Sequence, residues 1–174
     1  MDISKFKQYL GYGVRANLFK VELTFPSISG IANDLTEKFT FLCKSASQPA
    51  SNLGKIDVPY QGRMIPIPGD RTFEEYSITV LNDAKHDLRD AFERWHNAID
   101  QIEAHTPQYE YDSLMVDMKF QQLDRSKNVI KEYTFKSAWP VNVSSIEVSN
   151  DSNDSVEEFT VSLAYLHWIS NTTS

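Results

Sequence analysis

Ser113-Leu-Met-Val-Asp-Met-Lys-Phe-Gln121 is the stretch on which the fold turns. Leu114, Val116, Met118 and Phe120 alternate with Met115, Asp117, Lys119 and Gln121. That period of two sets one apolar face against a core and one polar face towards water. A strand divided in this way belongs to an antiparallel sheet, because parallel strands are covered on both faces and read as continuous apolar runs. The polar tip Asp124-Arg125-Ser126 follows, and Val129–Lys136 then repeats the alternation, so 113–136 reads as a hairpin.

The same period recurs on either side. Phe19, Val21, Leu23 and Phe25 alternate in Leu18–Phe25, and Phe39, Phe41 and Cys43 in Lys38–Cys43. Glu75–Leu81 sets Tyr76, Ile78 and Val80 on one side, and Glu157–Trp168 does the same with Phe159, Val161, Leu163 and Tyr165. One segment departs from it. Ala84, Leu88, Ala91, Phe92, Trp95, Ile99 and Ile102 are spaced by threes and fours, the pattern of an amphipathic helix. Asn82 or Asp83 would cap that helix, Asp90–Arg94 would support it as an i,i+4 pair, and Pro107 would close the region after it. The predicted fold is mainly β: a two-sheet antiparallel β-sandwich or barrel with one flanking α-helix at about 84–102. At 174 residues the chain suits one domain over 1–174, with an N-terminal arm at 1–14 and a C-terminal tail at 169–174.

Ser45–Asp70 obeys neither period. Pro49, Gly54, Pro59, Gly62, Pro66, Pro68 and Gly69 punctuate it, yet it holds Ile56, Val58, Met64, Ile65 and Ile67. A long, semi-extended loop with apolar residues suggests a functional arm. The alternative is an irregular edge strand folded back on its own sheet. Pro49, Ile56, Val58, Pro59 and Met64 are therefore candidate contact residues of that arm, together with Asp70 and Arg71. In Gly69-Asp70-Arg71-Thr72, the two charged residues serve either a local turn or an ion pair between subunits. Trp95, Trp139 and Trp168 read as packing anchors.

Charge and chemistry exclude more than they assign. Seventeen Lys and Arg against 24 Asp and Glu give a net charge of −7, which argues against a surface built to grip nucleic acid. Ser137–Ser174 contains no Lys or Arg but holds Glu147, Asp151, Asp154, Glu157 and Glu158, either a solvated face or an electrostatically biased interface. No apolar run reaches the roughly 18 residues of a membrane span, so no membrane anchor is expected. The N-terminus lacks the apolar core of a signal peptide, which places folding in a cytoplasm and leaves the Asn-x-Ser/Thr tripeptides near Asn142, Asn150, Asn153 and Asn171 without a glycosylation role. Cys43 is alone, which excludes an intrachain disulfide, and its place beside Phe39 and Phe41 reads as an inert packed thiol. His86 with Asp90 and His96 with Asp100 have i,i+4 spacing, but no third ligand is suitably placed, so no metal is expected. His167 beside Trp168 reads as packed. Phosphate-loop, dinucleotide-loop, zincin and nucleophile-elbow motifs are all missing, so no cofactor and no enzymatic function is expected.

Three stretches together resemble the tail tube proteins of contractile-tailed bacteriophages. They are Arg15-Ala-Asn-Leu-Phe-Lys-Val-Glu22, Phe39-Thr-Phe-Leu-Cys43 through Pro49-Ala50, and Gly69-Asp-Arg-Thr-Phe-Glu-Glu-Tyr-Ser-Ile-Thr-Val-Leu-Asn-Asp83. Trp139-Pro-Val-Asn-Val143 and Phe159–Trp168 agree in the same order, so the resemblance runs from Arg15 to Trp168. It implies a homohexameric ring, with rings stacked into a hollow tube inside a tail sheath, bounded by baseplate and tail terminator proteins. It would make the arm's candidates, Pro49, Ile56, Val58, Pro59, Met64, Asp70 and Arg71, inter-subunit or ring-stacking contacts. Genome DNA would pass through without specific binding, in a virion assembled in the host cytoplasm. The type VI secretion tube protein shares that architecture, so a tube of a type VI-like or other contractile injection system is the alternative. Departures from the family pattern fall in the N-terminal arm, Pro26–Glu37, Glu103–Asp112 and Ile169–Ser174. DNA in transit favours a bore that is acidic or neutral, since Lys and Arg contacts to phosphate dominate nonspecific affinity. Glu22, Asp117, Glu132 and Glu158 are candidates for that lining, with Lys20, Lys119 and Lys136 on comparable faces. Each could equally lie on a solvated outer face.

Overall fold

The computed structural model describes residues 2–28, 30–31, 34–100, 111–151 and 153–173. Within them, β1 (Phe19–Leu23), β6 (Val116–Leu123), β7 (Val129–Val143), β8 (Glu158–Ala164), β5 (Tyr76–Leu81) and β2 (Cys43–Ser45) lie side by side in that order, with β9 (His167–Ser170) also on β7. Every pairing is antiparallel. β7 serves two sets of partners, β6 and β9 along its first half and β8 along its second. Register shifts near Phe135–Ala138 and Pro140–Asn142, with Ser137 at φ 54°, bend it between them. The sheet therefore folds over on itself, and Tyr76 of β5 meets Phe135 of β7 with ring centroids 4.4 Å apart. The 113–136 hairpin forms as β6 and β7. Asp124 accepts from the Ser126 and Asn128 amides at 2.7 and 2.8 Å, which closes its tip.

The core lies between the folded sheet and two helices, α2 (Leu35–Leu42) and α3 (Asp87–Ile99). Leu88, Ala91, Phe92, Trp95 and Ala98 form the buried stripe of α3, with Ile99 packed at its edge. Phe25, Phe39, Phe92, Trp95 and Phe159 interlock as an aromatic cluster with centroids 5.1–6.2 Å apart. Asp83, not Asn82, receives orphan amides at the start of α3, from Lys85 and Leu88 at 3.2 and 3.5 Å. Asn82 instead holds Glu157 and His86 Nδ1. Arg94 donates to the Gly30 carbonyl at 2.5 Å, while the i,i+4 ion pair on this helix is Arg89–Glu93. The far end of the expected helix, Ile102, and the expected stop at Pro107 lie outside the described residues, as does most of Glu103–Asp112.

Two expectations are corrected. Lys38–Cys43 is not a strand: it is the end of α2, followed by β2. Leu35, Phe39 and Leu42 recur at four and three residues, so helical winding buries Leu35 and Phe39, half-buries Leu42, and leaves Phe41 77% exposed. Ser45–Asp70 is not a loop but for the most part a regular hairpin, β3 (Asn52–Tyr60) and β4 (Arg63–Thr72). Two further details differ. Residues 3–10 of the N-terminal arm form a helix, α1 (Ile3–Leu10), and Ile169 and Ser170 pair within β9, with Asn171 donating onward to the Glu132 carbonyl at 3.2 Å.

Lys38 joins the helices by donating to Asp83 and Asp87 at 2.7 and 2.6 Å. Burial would raise the Asp83 carboxyl, but hydrogen bonds from Lys38 and the Lys85 and Leu88 amides hold it below its ordinary 3.8. Hydrogen bonds to Asp83 and Asp87 in turn raise Lys38 above 10.5. A depressed carboxyl stabilises the fold above its unfolded pKa, and that share is lost as pH falls through the folded value. A raised amine contributes below 10.5 and loses its share as pH climbs past the folded value. Asp83→Asn should flatten the acid limb of stability against pH below about 4, measured by urea unfolding, and an unchanged acid limb would count against this linkage.

Candidate assembly surface

No residue of the β3–β4 hairpin belongs to the core, and residues 53–68 are exposed throughout. Its turn is Gln61-Gly62, with φ of 47° and 78°, the pair of left-handed residues that a two-residue turn matching strand twist requires. Eight residues at about 3.3 Å each carry the tip roughly 25 Å from the root. Register pairs Ile56 with Ile67 and Val58 with Ile65, so four β-branched side chains share one face, with Ile56 50% and Val58 40% exposed. The other face carries Lys55, Asp57, Pro59, Met64, Pro66 and Pro68, with Lys55–Asp57 paired at 3.1 Å. The prolines fall at alternate positions, where a missing N–H faces outward and not across the ladder. They thereby blunt both free edges against stray strand pairing.

Close backbone approach fixes the root. A Cβ on Gly54 would stand 2.9 Å from the Asp70 carbonyl oxygen, and one on Gly69 only 3.2 Å from the Gly54 carbonyl carbon. Arg71 lies over the Trp168 ring at 5.6 Å, and Trp168 Nε1 donates to the Ala50 carbonyl at 3.1 Å. Pro49 is half-buried beside that carbonyl, whereas Asp70 is exposed. Tyr76 donates its hydroxyl to the Ser47 carbonyl, which ties down the approach to the arm. Arg71→Ala should therefore loosen the root by about 1 kcal/mol or less without unfolding the sheet, seen as faster hydrogen exchange in residues 52–72 alone. Uniformly faster exchange across the sheet would contradict it.

The four acids proposed as lining residues fall on two surfaces. Glu22, Asp117 and Glu132 share the outer face of β1–β6–β7 with Lys20, Lys119 and Lys136. Lys20 pairs with Glu22, Lys136 with Asp117 at 2.5 Å, and Gln121 donates to Glu132 at 2.6 Å. The face is charged but balanced. Glu158 lies apart on β8, paired with Lys44, and that second outer face is dominated by hydroxyls, Ser77 opposite Ser162 and Thr79 opposite Thr160. Of the tryptophans, Trp95 is fully buried and donates to the Leu114 carbonyl at 2.8 Å, Trp168 is buried against Tyr133, and Trp139 is half-buried beside Ile99 and Leu114.

Two surfaces escaped the sequence reading. α1 buries nothing, and Ile3, Phe6 and Leu10 form an exposed stripe with Tyr9 beside it. A groove of about 750 Å³ is lined by Lys44, Ile146, Glu147, Val148, Val156 and Glu157 among others, at the β2–β5–β8 end of the sheet. Among the described residues no group of three His, Cys, Asp or Glu side chains is placed to hold a metal. Burial pushes the Cys43 thiol up to about 12, so it stays protonated near neutral pH. No helix among the described residues is long and apolar enough to cross a membrane.

Comparison with known proteins places this geometry. Residues 14–171 match the phage tail tube protein family. The tail tube protein gp19 of Enterobacteria phage T4 is 34% identical over 158 residues, covering 88% of this chain and 90% of that protein. A chain in the PVC sheath/tube terminator of an extracellular contractile injection system, in its extended state, superimposes with a TM-score of 0.66 at 16% identity. That match covers 93% of this chain and 99% of the other. A chain in the PVC sheath-tube complex does so at 0.58 and 16%, covering 98% of each. At such identity these two share the fold.

Proposed function

The chain belongs to the phage tail tube protein family, a structural family and not an enzyme, and from that premise we propose that it assembles as a homohexameric ring. Rings stack into the hollow inner tube of a contractile tail, one domain per copy. The observation that carries this reading is the β3–β4 arm, a hairpin with an apolar face that nothing among the described residues covers. Ile56 and Val58 are the strongest candidates to seat against the next ring, with Pro59 and Met64 on the opposite side of the same arm and Pro49, Asp70 and Arg71 at its base. The main strand order ends in β1 on one side and β2 on the other, and unlike edges joined head to tail close into a ring. Tail sheath, baseplate and tail terminator proteins would contact this tube, assembled in the host cytoplasm, and genome DNA would pass through it unbound. The relationship to a phage protein at 34% identity favours a phage tail over the tube of another contractile injection system, to which only the fold points. Light scattering on the purified protein tests the oligomer directly: a strict monomer at high concentration overturns it.

The β1–β6–β7 face is our candidate wall of the bore, because its acids and lysines nearly cancel and leave phosphate little to hold. Glu158, on the other surface, fits that wall less well than Glu22, Asp117 and Glu132. Glu22→Lys with Glu132→Lys should leave tubes unchanged in micrographs, since exposed pairs contribute little to folding. DNA delivery should slow, and more at low salt, where attraction is least screened. Delivery at the normal rate in low salt would remove wall charge as a control on transit.

A further inference from the structure

We propose that α1 of one copy docks in the acidic groove of its neighbour within the ring. The inference rests on the ring reading above and adds the surface that joins its members. Three observations lead to it. First, α1 presents Ile3, Phe6, Tyr9 and Leu10 to solvent and buries none of them, an uncommon arrangement unless something covers them. It lies before the residues that match the family, which start at 14. Second, the groove at residues 145–149 and 155–158 is lined by both polar and apolar side chains, and two of the apolar ones, Val148 and Val156, are likewise bare.

Third, the charges are complementary. Lys5 and Lys7 outweigh Asp2 in the arm, and no ion pair engages either lysine among the described residues. The groove offers Glu147 and Glu157, since Glu158 is already paired with Lys44. Size agrees as well. An eight-residue helix is about 12 Å long and about 10 Å across, so a groove of about 750 Å³ takes most of one.

Within one copy, α1 and the groove belong to opposite ends of the strand order. The root of α1 sits on the tip of the β6–β7 hairpin, with Arg125 over the Tyr12 ring at 4.7 Å, beside the β1 edge. The groove stands towards the other end of that order, where β8, β5 and β2 lie. Placing β1 of one copy beside β2 of the next carries α1 across the junction to the neighbour's groove. Burial of the apolar stripe supplies the attraction, and Lys5 and Lys7 against Glu147 and Glu157 set the orientation.

The test is a zero-length carbodiimide cross-link, which joins amines to carboxylates, on rings assembled from an equal mixture of heavy-isotope-labelled and unlabelled full-length protein. Mass spectrometry should find Lys5 or Lys7 joined to Glu147 or Glu157 in pairs carrying one heavy and one light partner. Phe6→Ser with Leu10→Ser removes the stripe without touching the reacting groups or the core, and should cut that yield about ten-fold. Rings without such links, links confined to one isotope, or an unchanged yield in the variant would overturn the docking while leaving the ring intact. Absence of rings in micrographs of the same sample would instead mark failure of the ring reading, and the docking with it.

Discussion

Excising the arm between Gly54 and Gly69 and closing the gap with a short turn should leave a folded protein that forms rings but no long tubes. The arm contributes nothing to the core, so unfolding by urea should shift little. Its four β-branched side chains are already about half covered, and burying the remainder adds about 1 kcal/mol each, roughly 4 kcal/mol for every arm. In the proposed tube several arms would act at each junction between rings, so removing them all should abolish stacking and not merely weaken it. A milder variant separates contact from fold: Ile56→Ser with Ile65→Ser keeps the hairpin and should shorten the tubes. Tubes of normal length from the excised protein would show that the arm has no part in stacking.

Trp95→Ala should be the most destabilising single change in the molecule. The indole is fully buried, stacks with Phe92 at 6.2 Å and meets Phe25 edge-on at 6.0 Å. Truncation leaves a cavity worth about 3–5 kcal/mol and strips the Leu114 carbonyl of its donor. Native domains hold only about 5–15 kcal/mol in total, so much of this protein's margin would go. Trp95→Phe keeps most of the volume but loses the N–H, and should cost about 1–3 kcal/mol. Denaturant unfolding followed by circular dichroism reads both. Equal losses in the two variants would mean that the hydrogen bond, and not the packing, dominates.

The sheet was legible where burial alternates strictly. Met118 and Phe120 face the core while Asp117 and Lys119 do not, because an antiparallel strand with one wet face writes its pleat into the sequence. Leu35–Leu42 was not legible, because Phe39, Phe41 and Cys43 fit a period of two as well as Leu35, Phe39 and Leu42 fit a helix. Only the neighbouring Phe25 and Phe92 decide between them. The arm was hidden by its own prolines, which signal irregular chain yet stand on free hairpin edges without breaking a ladder. Gln61-Gly62 between two apolar runs was the readable sign of a tight turn.

The candidate surfaces divide along the same line. An apolar arm could be inferred from Ile56, Val58, Ile65 and Ile67 because it is local in sequence. The groove could not, since Lys44 meets Glu158 only after β2, β5 and β8 have paired. Cancellation of charge on the β1–β6–β7 face likewise depends on register, which sets Glu22 opposite Lys119. The α1 stripe carries its signal openly in the spacing of Ile3, Phe6 and Leu10.

Negative-stain microscopy of the purified, unmodified protein bears most directly on the central claim. The account predicts six-fold rings with an open centre, stacked coaxially into hollow tubes. Isolated monomers at high concentration, or filaments without a bore, would contradict it.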